Sequence, residues 1–437
     1  MKNPLKKLLP RDLNFFAKLE SYLFFLIIFF LPTQLGRHFW FDFSYIYSLK
    51  IDYLSPTIFF WDLLILSLLF CFLLNIVSSR NKSKINSKAL LLTLFFLLTQ
   101  VLSLFNTSNL GASLFRLEQL FLASFLGIYI ASKNLSDIKK NLFLGLSSSI
   151  LLECFLGLGQ FFLSHSLGFW ILGEREFNLS TPSIAKFNYF DQIFLRPYGT
   201  FPHPNVFAGF LVITLPIINL LVKSKINFSI QVLGALLIIL TFSRIALAIF
   251  FLQIILFFRK KRLLLILILL ALASPFLFTR FFSTFSFDYI SLIRREQLAE
   301  VSLIHFFNSP IFGIGLNNFI NATSASSVIA GQTRFLQPVH NIFLLSLAET
   351  GIVGFLGFSI LIFFPLYKLL KIKPVFLKNV LIFTWFSILI LGMFDHYFLT
   401  LPQGQRLFFL VWGFSMLELK SGNFKKSISA NKLPNTG

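Results

Sequence analysis

The sequence predicts an all-α integral membrane protein with about twelve transmembrane helices and two long extracytoplasmic segments. Three observations predict it. The chain is 56% hydrophobic, with 62 Phe among 437 residues and a mean hydropathy of +0.80, more apolar surface than a soluble domain carries. The apolar residues come in repeated runs of about 20, the length at which a helix crosses the bilayer core. The Lys and Arg residues lie in short stretches between those runs, which is how membrane orientation is encoded. Inside lipid the backbone must satisfy its own hydrogen bonds, so the spans are expected to be helices.

Taken in order, a basic start, residues 1–18, precedes a span at 19–36. That span lacks a small-residue cleavage site and reads as a membrane helix, not a removed signal. Further spans are expected at 57–77, 88–106, 110–131, 141–163, 204–222, 227–242, 244–258, 263–279, 341–367, 377–394 and 406–418. Twelve spans place both ends in the cytoplasm. Most of the 38 Lys and Arg residues then fall on that side, with anchors at Arg80–Lys88 and Arg259-Lys260-Lys261-Arg262. The outer side receives two lysines, Lys50 and Lys186, and otherwise arginines, among them Arg196, Arg244, Arg294, Arg295 and Arg406. It also receives all six histidines: His38, His165, His203, His305, His340 and His396. Polar residues must lie somewhere outside the spans. Even so, this side gathers every side chain that titrates near neutral pH.

The expected organisation is an N-terminal transmembrane bundle over 1–163, a second transmembrane region over 164–418, and a cytoplasmic tail over 419–437. The second region carries extracytoplasmic segments at 164–204 and 280–340. In the longer one, Ile290, Ile293, Val301 and Ile304 recur at helical spacing around Arg294, Arg295, Glu296 and Glu300. That pattern predicts an amphipathic helix on the membrane or across a cavity. Asn308-Ser-Pro310 ends it, and Gly313-Ile-Gly315 makes a turn.

A net charge of +21 is compatible with nucleic-acid binding, but its distribution between apolar runs argues for membrane topology and no nucleic-acid partner. Cys71 and Cys154 both sit inside apolar runs and read as small hydrophobes, with no disulfide framework or zinc site. No phosphate-binding glycine loop, HExxH or GxSxG elbow is present.

Four outer-side clusters carry the chemistry: RPYGTFPHPN at Arg196–Asn205, TFSR at Thr241–Arg244, the stretch from Arg294 through FGIGLNNF at Phe312–Phe319, and a His-Asn pair at His340–Asn341 followed by Gly351 and Gly354. Together they resemble the O-antigen ligase family, which also takes in many polysaccharide polymerases. The matching residues are Gly199, Thr200, Phe201, His203, Pro204 and Asn205; Ser243–Arg244; Pro310, Gly313 and Gly315; and His340, Asn341, Gly351 and Gly354. The resemblance covers about 190–400, with the motifs in the right order and on the right side.

It implies a GT-C-like helical membrane glycosyltransferase. Such an enzyme moves a glycan from undecaprenyl diphosphate to an acceptor hydroxyl on the outer face of the cytoplasmic membrane, with no cofactor, metal or ATP. The acceptor can be a lipid or a sugar (ligase), a lipid-linked repeat (polymerase), or a protein Ser or Thr. His340 would be the catalytic base, and Arg196, Arg244, Arg294, His203 and Asn341 would bind substrate.

The residue chemistry fits independently. Arginine binds phosphate oxygens through a planar fork that lysine lacks. An arginine at a membrane edge needs a partner, and a bound anion is one. Neutral imidazole can take a proton near pH 7, and guanidinium groups can stabilise charge on a departing diphosphate.

Each of these residues also has a plainer reading. His340-Asn341 can cap a helix. The arginines can pair with Glu174, Glu176 or Asp191, and Arg295 competes with Arg294 for its role. His203, between two prolines, can shape a turn. Asp395–His396 is either an assistant to the site or a solvated interfacial pair. Gly351 and Gly354 are expected to permit close helix packing. Arg116, Glu118 and Glu153, in or near spans, must pair or face a cavity. The final LPNTG resembles a sortase signal, but nothing follows it, so it reads as coincidence. A second class of function, a transporter of a small anion such as bicarbonate, predicts broken helices near the bilayer middle.

Overall fold

The computed structural model describes residues 13–78, 85–189, 192–222, 224–257, 274, 289–326, 336–371 and 376–417. Its helices are α1 (Leu13–Phe29), α2 (Phe60–Ser78), α3 (Ser87–Leu102), α4 (Leu110–Ala131), α5 (Leu135–Leu163), α6 (Pro204–Leu221), α7 (Lys225–Leu240), α8 (Arg244–Phe257), α9 (Tyr289–Asn308), α10 (Phe319–Ser326), α11 (Ile342–Lys371), α12 (Phe376–Phe394), the short α13 (Tyr397–Thr400) and α14 (Pro402–Met416). The protein is therefore a helical, multi-pass membrane protein, as hydropathy predicts. Among the described residues, seven helices, α2 to α6, α11 and α12, are long and apolar enough to cross a membrane. Four further helices at expected spans are shorter: α7 and α8 have 16 and 14 residues, and α1 and α14 have 17 and 15. A helix lies at each expected span except 263–279, which is outside the described residues but for Ser274. The basic anchor at 259–262 and the tail at 419–437 also lie outside them.

Side-chain caps set several boundaries. Asn86 and Asn109 accept from Ala89 N (3.1 Å) and Ala112 N (3.0 Å) to start α3 and α4, and Ser224 accepts from Asn227 N (3.1 Å) to start α7. Each satisfies an amide that the first helical turn leaves without a partner. Between the helices, α14 lies along α4, α1 against α2 and α5, α3 against α11, and α12 against α6. In lipid such contacts depend on close van der Waals fit. Gly413 of α14 shows it: a Cβ there would come within 2.5 Å of the Gly127 carbonyl on α4. Buried tryptophans complete the packing, with indole N–H groups donating to carbonyls or hydroxyls: Trp61 to Ile27 O, Trp412 to Leu361 O and Trp385 to Ser415 Oγ.

Contacts between loops sort the bundle into two ends. At one, Asn86 donates to Ala131 O and Met416 O, Lys133 pairs with Glu20, and Lys368 donates to Leu417 O. At the other, Gln34 reaches Thr200 O, Asn109 donates to Phe43 O, Asn317 donates to Tyr53 O, and Tyr53 packs against His396. This second end carries three small antiparallel pairings. They are β1 (Gly36–His38) with β4 (Thr57–Phe59), the hairpin β2 (Tyr45–Ile46) and β3 (Leu49–Lys50), and the hairpin β5 (Lys186–Tyr189) and β6 (Gln192–Leu195).

The interior of α11 is broken. Gly351 has φ 60 and ψ −165, and the chain at 310–315 docks into the gap. Ile352 N and Val353 N donate to Pro310 O (2.8 Å) and Ile311 O (3.2 Å), while Ile314 N and Gly315 N donate to Ala348 O (3.0 Å) and Glu349 O (2.9 Å). A Cβ on Gly351 would collide with the Ile311 carbonyl. Gly351 thus serves a backbone break in place of the helix packing expected of it.

The expected amphipathic helix is α9, and it ends at Asn308 as the sequence suggests. Its buried face is Leu298 and Ser302, with Ser302 Oγ donating to Leu344 O of α11 (2.9 Å). Ile304 is instead exposed together with Leu292, Leu303 and Phe307, on a face suited to lipid. Arg406 also departs from its expected place in an outer segment. It is buried within α14, 3.6 Å from Asp62 and stacked over Trp61.

Candidate functional site

Two adjoining cavities open at the loop-rich end. The first, about 380 Å³, is lined by Arg196, Arg244 and Arg295 together with apolar Phe242, Ile245, Leu292, Leu391 and Phe394. The second, about 520 Å³, contains His340 and His396 with Tyr53, Arg175, Glu176 and Tyr198. His203, Asn205, Arg295 and Asp395 line both, so they form the wall between an arginine lobe and a histidine lobe.

Each arginine is placed by a different motif. Arg196 follows β6 and is buried; its Nε donates to Thr241 O (2.6 Å) and a terminal nitrogen donates to Asn205 Oδ1 (2.9 Å). It therefore ties the TFSR turn to the HPN turn. The plainer reading of Arg196 had Glu174, Glu176 or Asp191 as its partner. Glu174 is instead taken by Gln160 Nε2 (2.9 Å) and the amides of Leu167 (2.8 Å) and Phe169 (2.7 Å), and Asp191 lies outside the described residues. The loop behind Arg196 is fixed from within the bundle, because Glu153 accepts from Thr200 N (2.7 Å) and Thr200 Oγ1 (2.6 Å). That is the partner Glu153 required.

Arg244 is the first residue of α8, so the lobe also faces a helix start whose amides favour an anion. The turn before it is held by Phe242, at φ 53, clasped against Phe187 with ring centroids 4.0 Å apart. On α9 it is Arg295 that lines both cavities. Arg294, the expected ligand, lines neither.

His340 immediately precedes α11. Asn341 is the cap: its Oδ1 accepts from Phe343 N (2.9 Å) and Leu344 N (3.1 Å), and its Nδ2 donates to Met393 O (3.3 Å). Asn341 thus positions its neighbour and lines neither cavity. Val339 is buried with Leu298, Phe319, Leu345 and Ala348, which fixes the approach to the helix. The His340 ring stands edge-on to His396, 5.0 Å between centroids. Burial, and then the nearby Arg295, push the His340 pKa down to about 3, so the imidazole is neutral at pH 7 and able to accept a proton.

His203 caps α6, its Nδ1 accepting from Asn205 N (3.1 Å). That bond assigns the remaining ring proton to Nε2 and makes His203 a donor into the site. Burial and then Arg196 hold its pKa well below the ordinary value. His396 is buried, with Nδ1 2.6 Å from Thr400 Oγ1, so it is not a solvated residue. Burial raises the Asp395 carboxyl to about 6, against the pull of the His396 amide and Arg295. Among the described residues, no three His, Cys, Asp or Glu side chains gather in a way that could hold a metal.

Tyr53 and Asp52 join the site without having been singled out, and Asn205, named only as part of a motif, joins it as a lining residue. Asn205 was legible within HPN. Tyr53 and Asp52 lie in the short 37–56 connection, which carries no periodicity or motif.

No curated protein matches the chain. The model of the O-antigen ligase family matches residues 230–359. That stretch contains Arg244, Arg295, His340 and the break of α11 at Gly351, and it excludes the 196–205 motif, so it is narrower than the 190–400 resemblance. Over residues 230–359 the chain is similar to the O-antigen ligase family.

Proposed function

We propose that the protein transfers a glycan from undecaprenyl diphosphate to an acceptor hydroxyl at the outer face of the cytoplasmic membrane. The observation that carries the reading is the shared wall. Three guanidinium groups line an apolar-sided lobe, and this lobe abuts the cavity of a neutral, buried imidazole. A lipid diphosphate needs both properties of the first lobe. Its phosphates suit Arg196, Arg244 and Arg295, and its polyprenyl tail suits Ile245, Leu292, Leu391 and Phe394.

The glycan then reaches across His203 and Asn205 toward His340. The acceptor hydroxyl gives its proton to His340 as its oxygen bonds to the anomeric carbon. The bond from that carbon to the diphosphate oxygen breaks, and its electron pair stays on the diphosphate, where the arginines stabilise it. A base with a pKa of about 3 is weak on its own. Burial, the larger cause, stays when donor binds, but the diphosphate anion beside Arg295 offsets the smaller part that comes from that charge, so donor binding raises the basicity of the imidazole by that part. The similarity to the O-antigen ligase family over residues 230–359 supports this reaction class.

A transport function favours helices broken around an open path. The break in α11 is instead filled by backbone of residues 310–315, which supports the transferase. The test is the purified protein in lipid nanodiscs, supplied with an undecaprenyl-diphosphate glycan and a sugar acceptor. Product and free undecaprenyl diphosphate should appear in equal amounts. Anion flux without glycan transfer would overturn the assignment.

A further inference from the structure

A third cavity, about 220 Å³, continues from the histidine lobe on the side away from the donor arginines. It shares Asp52, Tyr53, Arg175, Pro202 and Leu401 with the histidine lobe and no residue with the arginine lobe. Its own wall holds Arg116, Gln119, His38, Gln34 and Gln403. The three spaces therefore run in line: arginine lobe, His340, Arg116.

Arg116 is 3% exposed and yet lines this space. Its terminal nitrogens donate to Gln119 Oε1 (2.9 Å), Thr400 O (2.5 Å) and Asn317 Oδ1 (3.3 Å), all neutral acceptors. These bonds fix the plane of the guanidinium without meeting its charge. Glu349, which accepts from Phe319 N at 3.1 Å, offsets part of that charge from α11. Arg175 adds a second guanidinium, exposed, with a terminal nitrogen on Pro202 O at 3.0 Å. Against these two cations the lobe sets one carboxylate, Asp52. The remaining groups, three glutamine amides with Tyr53 and His38, are the donors and acceptors that sugar hydroxyls use.

We propose that this lobe is the acceptor subsite and that it takes a sugar bearing an anionic group, held by Arg116 and Arg175. The proposal rests on the transferase reading for the word acceptor, but its binding chemistry stands apart from it. The lobe is the size of one sugar ring, and the amides meet the hydroxyls. The anion adds to the partial compensation that Glu349 gives a buried charge whose direct hydrogen-bond acceptors are neutral. A uronic acid carboxylate and a sugar phosphate share this chemistry.

The test measures binding to the purified protein in nanodiscs with three probes: a glucuronate-terminated disaccharide, the corresponding sugar 6-phosphate, and the neutral glucose-terminated disaccharide. The anionic probes should bind about tenfold tighter than the neutral one, the difference a charge-assisted pair makes. The ratio between the two anionic probes tells carboxylate from phosphate. Arg175→Gln, which leaves the buried bonds of Arg116 in place, should remove most of that preference. Arg244→Gln should leave it intact, because Arg244 belongs to the donor lobe. Equal binding of all three probes overturns the proposal, as does a preference lost in Arg244→Gln and kept in Arg175→Gln. Failure of the transferase reading would show separately, as an absence of glycan transfer while these affinities are unchanged.

Discussion

In the proposed reaction His340 acts through its surroundings more than through its identity. A histidine in water titrates near 6.5; burial and Arg295 bring this one to about 3. His340→Ala should lower transfer by about 10²–10⁴-fold, the range of a lost general base, with membrane insertion and chromatographic profile unchanged. Near-normal product would remove the base assignment. Asp395 adds a pH dependence whose sign is fixed. Its carboxyl titrates at about 6, so it is charged above that value and neutral below. When charged it competes with the diphosphate for Arg295. The donor KM should therefore fall as pH is lowered through about 6, while the diphosphate diester keeps its own charges. In Asp395→Asn that KM should already be low and flat with pH. A donor KM that rises on acidification would exclude the competition. The choice between Arg294 and Arg295 belongs to this scale too. Neighbours on a helix point about 100° apart, and the sequence offers no reason to prefer either. Leu298 and Ser302 decide it by docking α9 on α11, a register set by residues some 40 positions away. Arg295→Gln should raise the donor KM by about tenfold or more, as loss of a charged hydrogen bond does, while Arg294→Gln should change it little.

At the scale of elements, most helices were legible and their irregularities were not. Helix positions follow hydropathy because lipid admits few alternatives to a hydrogen-bonded helix, and α9 ends at the expected Asn308 although its buried face, Leu298 and Ser302, is not the expected apolar set. The break in α11 is different. LAETGIVG reads as continuous helix, and only the arrival of residues 310–315 makes Gly351 adopt φ 60. Gly313, at φ 70, faces Glu349 and Thr350 from the other side of the same joint. This joint locks the chain after α9, which carries Arg295, to the helix that follows His340, so the two halves of the site are spaced by one piece of backbone. Gly351→Ala should cost about 2 kcal/mol or more, from a left-handed backbone plus the collision with Ile311. Thermal unfolding in detergent reads that loss. The surviving folded fraction should also show weaker transfer, because the spacing between Arg295 and His340 shifts. A variant as stable and active as the parent would mean that the joint is slack.

For the whole molecule, the bundle separates two chemistries by its ends. One end is tied by a lysine–glutamate pair and lysine-to-carbonyl bonds: Lys133 with Glu20, and Lys368 with Leu417 O. The other collects the cavities, their arginines and the histidines His203, His340 and His396. Lys/Arg placement predicts that the lysine-rich end stays in the cytoplasm, and on that expectation the proposed site faces the opposite side. The consequence is a labelling pattern. Ser180 is exposed near the histidine lobe, and Lys140 is exposed at the lysine end. The native cysteines, Cys71 and Cys154, are buried and give little background. In intact cells, Ser180→Cys should react with a membrane-impermeant maleimide and Lys140→Cys should not; on opening the cells both should react. The reverse pattern would put His340 and the diphosphate arginines in the cytoplasm. There an acceptor on the outer leaflet could not reach the site, so the same inversion would end the transfer reaction proposed for it.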